Sequence, residues 1–247
     1  MPPHGSNHPG EQRAHLSVGG LPYLLALPAA LSAASSSFPL LLFLHGAGES
    51  GSNPQELLAE GATGTPTSLA KAHAPHLEQF IVASPQTDRG WDGQPGELVV
   101  KLLDELLEDK RLKIDAHRVY LSGVSMGGAG VWSVASAHPA RFAAIVPVCG
   151  YGNAERVASA LAASPARHTP KIFVWHGAND VVVPVGASDE VVAALKARGR
   201  TDVRYERIAA SPAPVGWPDY TGHAAWLPAF AAESSLWPWL LEQRLSS

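Results

Sequence analysis

Six short apolar runs recur along this chain, and each is followed by a polar turn or a helical stretch. They are "LLLFLHG" from Leu40, "FIVASPQ" from Phe80, "RVYLSGVS" from Arg118, "FAAIVPVCG" from Phe142, "KIFVWHG" from Lys171 and "DVRYERI" from Asp202. Between them "GELVVKLLDELLEDKR" is the clearest helix, because Leu98, Leu102, Leu103, Leu106 and Leu107 fall on one face at helical spacing. "MGGAGVWSVASAHP", "ASDEVVAALKARG" and the terminal "SLWPWLLEQRL" supply further helical stretches. Alternation of this kind implies a mostly parallel sheet with helices on both faces, an α/β fold without a large cap insertion. "LPYLLALPAALSAA", from Leu21 to Ala34, reads as part of a strand pair turning at Gly19-Gly20, and these opening strands make an antiparallel edge. Residues 1–10, "MPPHGSNHPG", are expected to be a disordered tail, and residues 11–247 a single domain.

Composition removes several function classes. With 46% apolar and 16% charged residues the chain can bury a sizeable core. Its net charge of −4, with no basic stripe, argues against nucleic acid, which demands clustered Lys and Arg. Lys110, Arg111 and Lys113 follow three acids and read as a solvated helix end. Leu21 to Ala34 is too short and proline-broken to span a membrane. It also lacks the compact basic run of a secretory signal, so a cytoplasmic location is expected, with secretion the alternative. The lone Cys149, in the run "AAIVPVCG", is expected to be a small buried hydrophobe.

"LLLFLHGAGESG" spells G-x-G-x-x-G at Gly46, Gly48 and Gly51, the written form of a dinucleotide loop. Such a site needs the helix to start within the motif and an acid at the tip of the next strand. Here Asn53-Pro54 delays the helix, "FIVASPQ" carries no acid at its tip, and Glu49 opposes a pyrophosphate. No cofactor is expected. His73 and His76 are spaced like a metal pair, but Pro75 separates them and no third ligand is evident, so no metal is expected either.

The informative stretch is "YLSGVSMGG". Gly123-Val124-Ser125-Met126-Gly127 places G-x-S-x-G between a strand and a helix, the context in which a serine stands on a strained turn clear of the sheet edge. A hydroxyl needs a base, and the base an orienting acid, further along the chain. Asp180, in the turn of "KIFVWHGANDVVVP", is the candidate acid, preferred over Asp189 and Glu190, which look like helix-start residues. His223, in "DYTGHAAW", is the candidate base. His45 and His176 precede glycines at strand ends and are expected to order turns; His138 ends a helix. The glycine loop after Leu44 then supplies an oxyanion donor, with the Ala47 N–H expected to work beside that of Met126 and Gly48 next in line.

"LFLHGAGESG", "FIVASPQ", Gly90-Trp91, "RVYLSGVSMGGAGVW", "HPARFAAIVPVCG", "HGANDVVVP" and "GHAAW" occur in order. Together they resemble the phospholipase/carboxylesterase and polyhydroxybutyrate-depolymerase-like branch of the α/β-hydrolases, from about Leu21 to the C-terminus. The resemblance implies an α/β-hydrolase fold and a serine esterase with Ser125, Asp180 and His223 as triad and the Ala47 and Met126 backbones as oxyanion donors. Two departures stand out: residues 209–219, "AASPAPVGWPD", form a longer, proline-rich loop, and the glycine loop is not H-G-G-G.

The expected chemistry is hydrolysis of short-acyl or aryl carboxylic esters, small or polymer-linked, through an acyl-enzyme. Trp91, Tyr151, Trp217, Tyr220 and Trp226 are candidates for lining the substrate cleft, Trp226 equally a support beneath the His223 loop. The alternatives are a serine peptidase or thioesterase on the same fold, and a ligand-binding homologue without turnover.

Overall fold

The computed structural model describes residues 12–17, 19–34, 36–59, 63, 65–66, 76–165 and 169–246. The expected N-terminal tail and His73 lie outside them. Eight strands form one sheet: β1 (Gln12–Leu16), β2 (Pro22–Ala26), β3 (Phe38–Leu44), β4 (Ile81–Pro85), β5 (Ile114–Val124), β6 (Ala144–Val148), β7 (Lys171–Gly177) and β8 (Val203–Ile208). Their order across the sheet is β1-β2-β4-β3-β5-β6-β7-β8. The first two strands form the antiparallel edge, and β2 meets β4 antiparallel. From β4 to β8 every neighbouring pair is parallel. The edge hairpin turns as the Gly19-Gly20 pair suggests, closed by the Gly20 N–H on the Ser17 carbonyl.

Period-2 alternation divides the core into two layers. Leu40, Leu42 and Leu44 of β3 face one cluster while Leu41 and Phe43 face the other. The first layer is covered by α1 (Gln94–Glu108), α2 (Met126–Ala137), α3 (Ala154–Ala163) and α4 (Gly186–Ala197), which contribute Leu102, Val131, Val157 and Val191 among others. The second is covered by α5 (Trp226–Ala229) and α6 (Leu236–Glu242), through Trp226, Trp237 and Leu240. Pro238 lies in the first turn of α6, where its missing N–H has no helical acceptor to lose. Helices thus lie on both faces of a mostly parallel sheet, with no large cap insertion. Among the described residues no helix is long and apolar enough to cross a membrane.

The parallel register decides which loops meet. Val124, the last residue of β5, lies opposite Val148, the last residue of β6. The residues that follow these two strands, Ser125 and Cys149, therefore emerge side by side at the carboxyl edge, where open α/β sheets bind ligands.

Candidate active site

Ser125 takes φ 54° between β5 and α2, a left-handed setting that a non-glycine residue adopts only when its surroundings hold it there. The Ser125 N–H donates to the Val148 carbonyl at 2.9 Å, and the Ser125 carbonyl accepts from Ala129 at 3.0 Å, so strand and helix grip the turn from both sides. The glycines allow the crossing to be this tight. A Cβ on Gly123 would lie 2.6 Å from the Gly127 carbonyl oxygen, and one on Gly127 would overlap the carbonyl oxygen of Leu44. The start of α2 is thereby pressed against the end of β3.

His223 links the groups the sequence named. Its Nδ1–H donates to Asp180 Oδ2 at 2.8 Å, and its Nε2 faces the Ser125 hydroxyl at 2.9 Å, in the orientation to accept that proton. Asp180 is fixed in turn, because its Oδ1 accepts from the Val182 and Val183 N–H groups at 2.9 and 3.0 Å. Burial works to raise the Asp180 carboxyl, but hydrogen bonding to His176, His223 and Val183 outweighs it and holds the group well below the usual carboxylate range. Asp189 and Glu190 are in the first turns of α4, and Asp189 is engaged by the Tyr205 hydroxyl and Arg207. Trp226 packs its ring edge-on against His223, with centroids 5.3 Å apart.

The structure corrects the sequence reading at the nucleophile. Cys149 is buried in the second core layer as expected, but it also stands at the site: its sulfur, a carboxylate oxygen of Asp180 and a ring nitrogen of His223 lie within 4.8 Å of one another. Two nucleophilic groups therefore lie beside the His–Asp pair, the Ser125 hydroxyl in hydrogen-bond contact with His223 and the Cys149 thiol within 4.8 Å. The assignment of a serine carboxylesterase, with its serine-hydrolase label, supposed a single nucleophile and is overturned in that form. Cys149 has φ 41°, a second left-handed residue beside Ser125, and its N–H donates to the Trp175 carbonyl at 2.8 Å. Burial pushes its thiol up, opposed by hydrogen bonding to the Ser125 backbone and reinforced by the Asp180 charge.

The glycine loop after β3 closes over the same edge. Ala47 opens a single 3-10 turn, Ala47–Glu49, and Met126 opens α2. Among the described residues neither N–H has an acceptor. The loop is tied down by Gln86, whose amide donates to the Glu49 carbonyl at 2.9 Å, by the Gly51 N–H on Thr87, and by Glu49, which accepts from the Thr63 backbone and hydroxyl. His45 stands behind it. Its Nδ1–H donates to the Gly46 carbonyl at 2.7 Å while Nε2 accepts from the Thr87 N–H at 3.1 Å, an arrangement that only the neutral ring can make.

Burial drives the His45 pKa down to about 4, the Gly46 bond opposing. Its unfolded value is about 6.5, so the unfolded chain binds a proton in this interval that the folded chain refuses. Stability therefore falls as pH drops from about 6.5 to about 4, by up to about 3 kcal/mol from this group. Asp180 acts in the same direction at lower pH, since a depressed carboxyl stabilises above its unfolded value and loses that contribution as pH falls. Urea midpoints between pH 4 and 7 should slope accordingly in the wild type, and His45→Gln should flatten the slope.

The aromatic candidates divide. Trp91 is only 2% exposed: its indole N–H donates to the His45 carbonyl at 3.1 Å and its ring meets His45 edge-on, so it supports the glycine loop from below and does not line a cleft. Trp226 is buried against His223 and acts as a support as well. Tyr151, Trp217 and Tyr220 are exposed by 49, 57 and 40%, Gly48 is also open, and Trp217 and Tyr220 lie against each other at 5.1 Å. The loop that carries the last two is clamped at its base. Asn179 accepts from the Ser211 N–H at 2.8 Å and donates to its carbonyl, Ala224 N–H reaches the Pro212 carbonyl at 3.0 Å, and Val181 N–H reaches that of Thr221 at 3.1 Å. Sequence reasoning missed His176, which lies four residues before Asp180 and beneath it. His76, the described member of the pair once considered for metal, directs Nε2 at the Ala232 carbonyl.

No family model matches the chain. Over 151 residues it is 33% identical to a bifunctional acetylxylan esterase/xylanase of Neocallimastix patriciarum, a match covering 59% of this chain and 20% of that protein. The chain thus corresponds to a fifth of that relative's length. Among solved structures it superposes on a thermostable esterase with TM-score 0.74 and 28% identity, covering 95% of this chain and 62% of that one. It also superposes on an S-formylglutathione hydrolase of Staphylococcus aureus with TM-score 0.68 and 16% identity, covering 98 and 100%. The sheet order, the strained turn after β5 and these superpositions together show an esterase-like fold of the α/β-hydrolase superfamily.

Proposed function

We propose that the protein is an acyl-transfer hydrolase of small-molecule esters, thioesters foremost, that works through the His223–Asp180 pair. The observation that carries this reading is the His223 ring, oriented by Asp180 on one side and directed at a nucleophilic group on the other, with a second nucleophile in the same buried cluster. His223 takes the nucleophile's proton during attack, and Asp180 keeps the ring in the tautomer that can accept it and stabilises the imidazolium. The acyl group passes to the protein, the thiol or alcohol leaves, and water repeats the sequence to release the acid. A thiolate leaves without waiting for a proton, so thioesters place the lightest demand on His223 as acid. The N–H groups of Ala47 and Met126 are the proposed oxyanion donors, each worth about 10²–10³ in rate. The 28%-identical esterase and the acetylxylan esterase/xylanase support an ester-type substrate. Tyr151, Trp217 and Tyr220 offer apolar surface to its non-reacting part.

The two possible acyl acceptors differ physically. The Ser125 hydroxyl holds the hydrogen bond to His223 and is partly exposed, whereas the Cys149 thiol is intrinsically the stronger nucleophile once ionised but is buried and protonated. Acid-quenching the enzyme during turnover of an acetyl thioester and locating the added acyl mass by peptide mass spectrometry identifies the acceptor, with Ser125→Ala and Cys149→Ala as paired variants. Acyl mass on one of these residues, lost with turnover in its own variant, supports the mechanism. Hydrolysis of neither thioester nor p-nitrophenyl acetate, with no acyl mass, overturns it. Oxyester turnover well above thioester turnover overturns the substrate preference alone.

A further inference from the structure

His176 is completely buried at the end of β7, and the turn-ordering role expected from its sequence position accounts for only part of its contacts. Its Nε2 lies 2.9 Å from the Val183 carbonyl and 3.3 Å from Asp180 Oδ2. Both partners only accept, so Nε2 must carry the proton. Its Nδ1 is 2.7 Å from the Ser188 hydroxyl in α4, which also lies 3.5 Å from the Gly150 carbonyl. The ring is thus held by α4 on one side, while its Nε2–H lies beside the same carboxylate oxygen that His223 engages.

We infer that His176 is a positioning residue for the acyl-transfer reaction, acting on Asp180 rather than on substrate. A carboxylate on a short side chain can rotate about its last bond, and each rotation moves the oxygen that must face His223. Here Oδ1 is fixed by the two turn amides and Oδ2 lies between two imidazoles. The His176 N–H also holds the Val183 carbonyl, closing the turn whose amides grip Oδ1. One N–H therefore stabilises both the turn and the plane of the carboxylate. Without it Oδ2 turns away from His223 for part of the time, and the imidazolium formed during attack loses its partner. Substrate binding does not involve this contact, so the loss falls on kcat.

The inference rests on the His223–Asp180 reading, and the test separates the two. Steady-state kinetics with an acetyl thioester would compare wild type, His176→Phe, His176→Gln, Asp180→Asn and the His176→Phe/Asp180→Asn double variant, with His223→Ala as the control. His176→Phe should lower kcat by about 10- to 100-fold, the scale of one hydrogen bond to a charged group, and leave KM within about twofold. His176→Gln, which returns an N–H close to the Nε2 position, should recover most of the loss. In the Asp180→Asn background His176→Phe should cost little more, because groups acting as a unit are not additive. Unchanged kcat in His176→Phe, no recovery with Gln, or a full further loss in the double variant overturns the positioning role while His223→Ala stays inactive. Activity retained in His223→Ala overturns the underlying reading instead. If His176→Phe does not fold, Ser188→Ala tests the same lock from outside the ring and should show a smaller loss confined to kcat.

Discussion

Replacing His223 by alanine is expected to lower kcat/KM for a thioester or an oxyester by about 10⁴-fold or more, with KM changing little. The magnitude follows from the shared base. On the proposed mechanism, whichever of Ser125 and Cys149 receives the acyl group, the proton goes through the ring that Asp180 holds at 2.8 Å. Removing the ring leaves a hydroxyl that water alone must deprotonate, or a thiol that burial keeps protonated. What remains is the rate due to the amide donors and to substrate orientation, which the substitution does not touch. Folding should survive, because Trp226 and α5 stay anchored in the second core layer. Exogenous imidazole, fitting against Trp226, should restore part of the rate. A His223→Ala protein within tenfold of wild type would overturn the assignment of the base.

Gly127→Ala is expected to destabilise the fold by more than about 4 kcal/mol, a fall in melting temperature on the order of 10 °C, or to prevent soluble expression. A single methyl has this effect because of what it would strike. The Cβ would fall within the carbonyl oxygen of Leu44 and 2.7 Å from that of His45, both backbone atoms at the carboxyl end of the central strand β3. No rotamer relieves such an overlap, so α2 must lift from β3. That movement separates Ser125 from the glycine loop, and the surviving protein should also lose rate at temperatures where it is folded. Gly48→Ala is the control, because a Cβ there meets nothing within 4 Å. Equal melting temperatures for the two variants would show that the crossing is looser than described.

The strained turn at Ser125 and the convergence of Asp180 and His223 on it were legible because each depends on local chemistry. A strained serine demands glycines at fixed offsets, an acid in a turn after a strand is visible as such, and chain order limits the histidine. The sheet was legible from period-2 runs separated by amphipathic stretches, and the antiparallel edge from a glycine pair. The burial of Cys149 was legible but its nearness to His223 was not, because that comes from register, through Val124 opposite Val148, and strand pairing is not written in either strand alone. The surroundings of His176 were hidden for a related reason: Asp180 is close in sequence, but the helix that holds the other side of the ring arrives through Ser188. Trp91 looked like cleft lining because it lies on a loop at the carboxyl edge of the sheet. The pocket that buries it is made by distant Gly130, where a Cβ would overlap the indole side chain.

The clamps at the foot of the loop before His223 bear on how such a chain can diversify. Ser211 and Pro212 on one side and Tyr220 and Thr221 on the other are fastened to the acid turn, to His223 and to the start of the following helix, so residues 213–219 and the Tyr220 side chain hang outside a closed frame. Val215, Trp217 and Tyr220, all exposed, ride on the part beyond the fastenings. Insertions, deletions or exchanges there can reshape what the mouth of the site presents while leaving the base and acid in register. Under the proposed function, substrate preference and turnover chemistry are consequently separable by heredity: a lineage can change the first through one short segment without re-inventing the second.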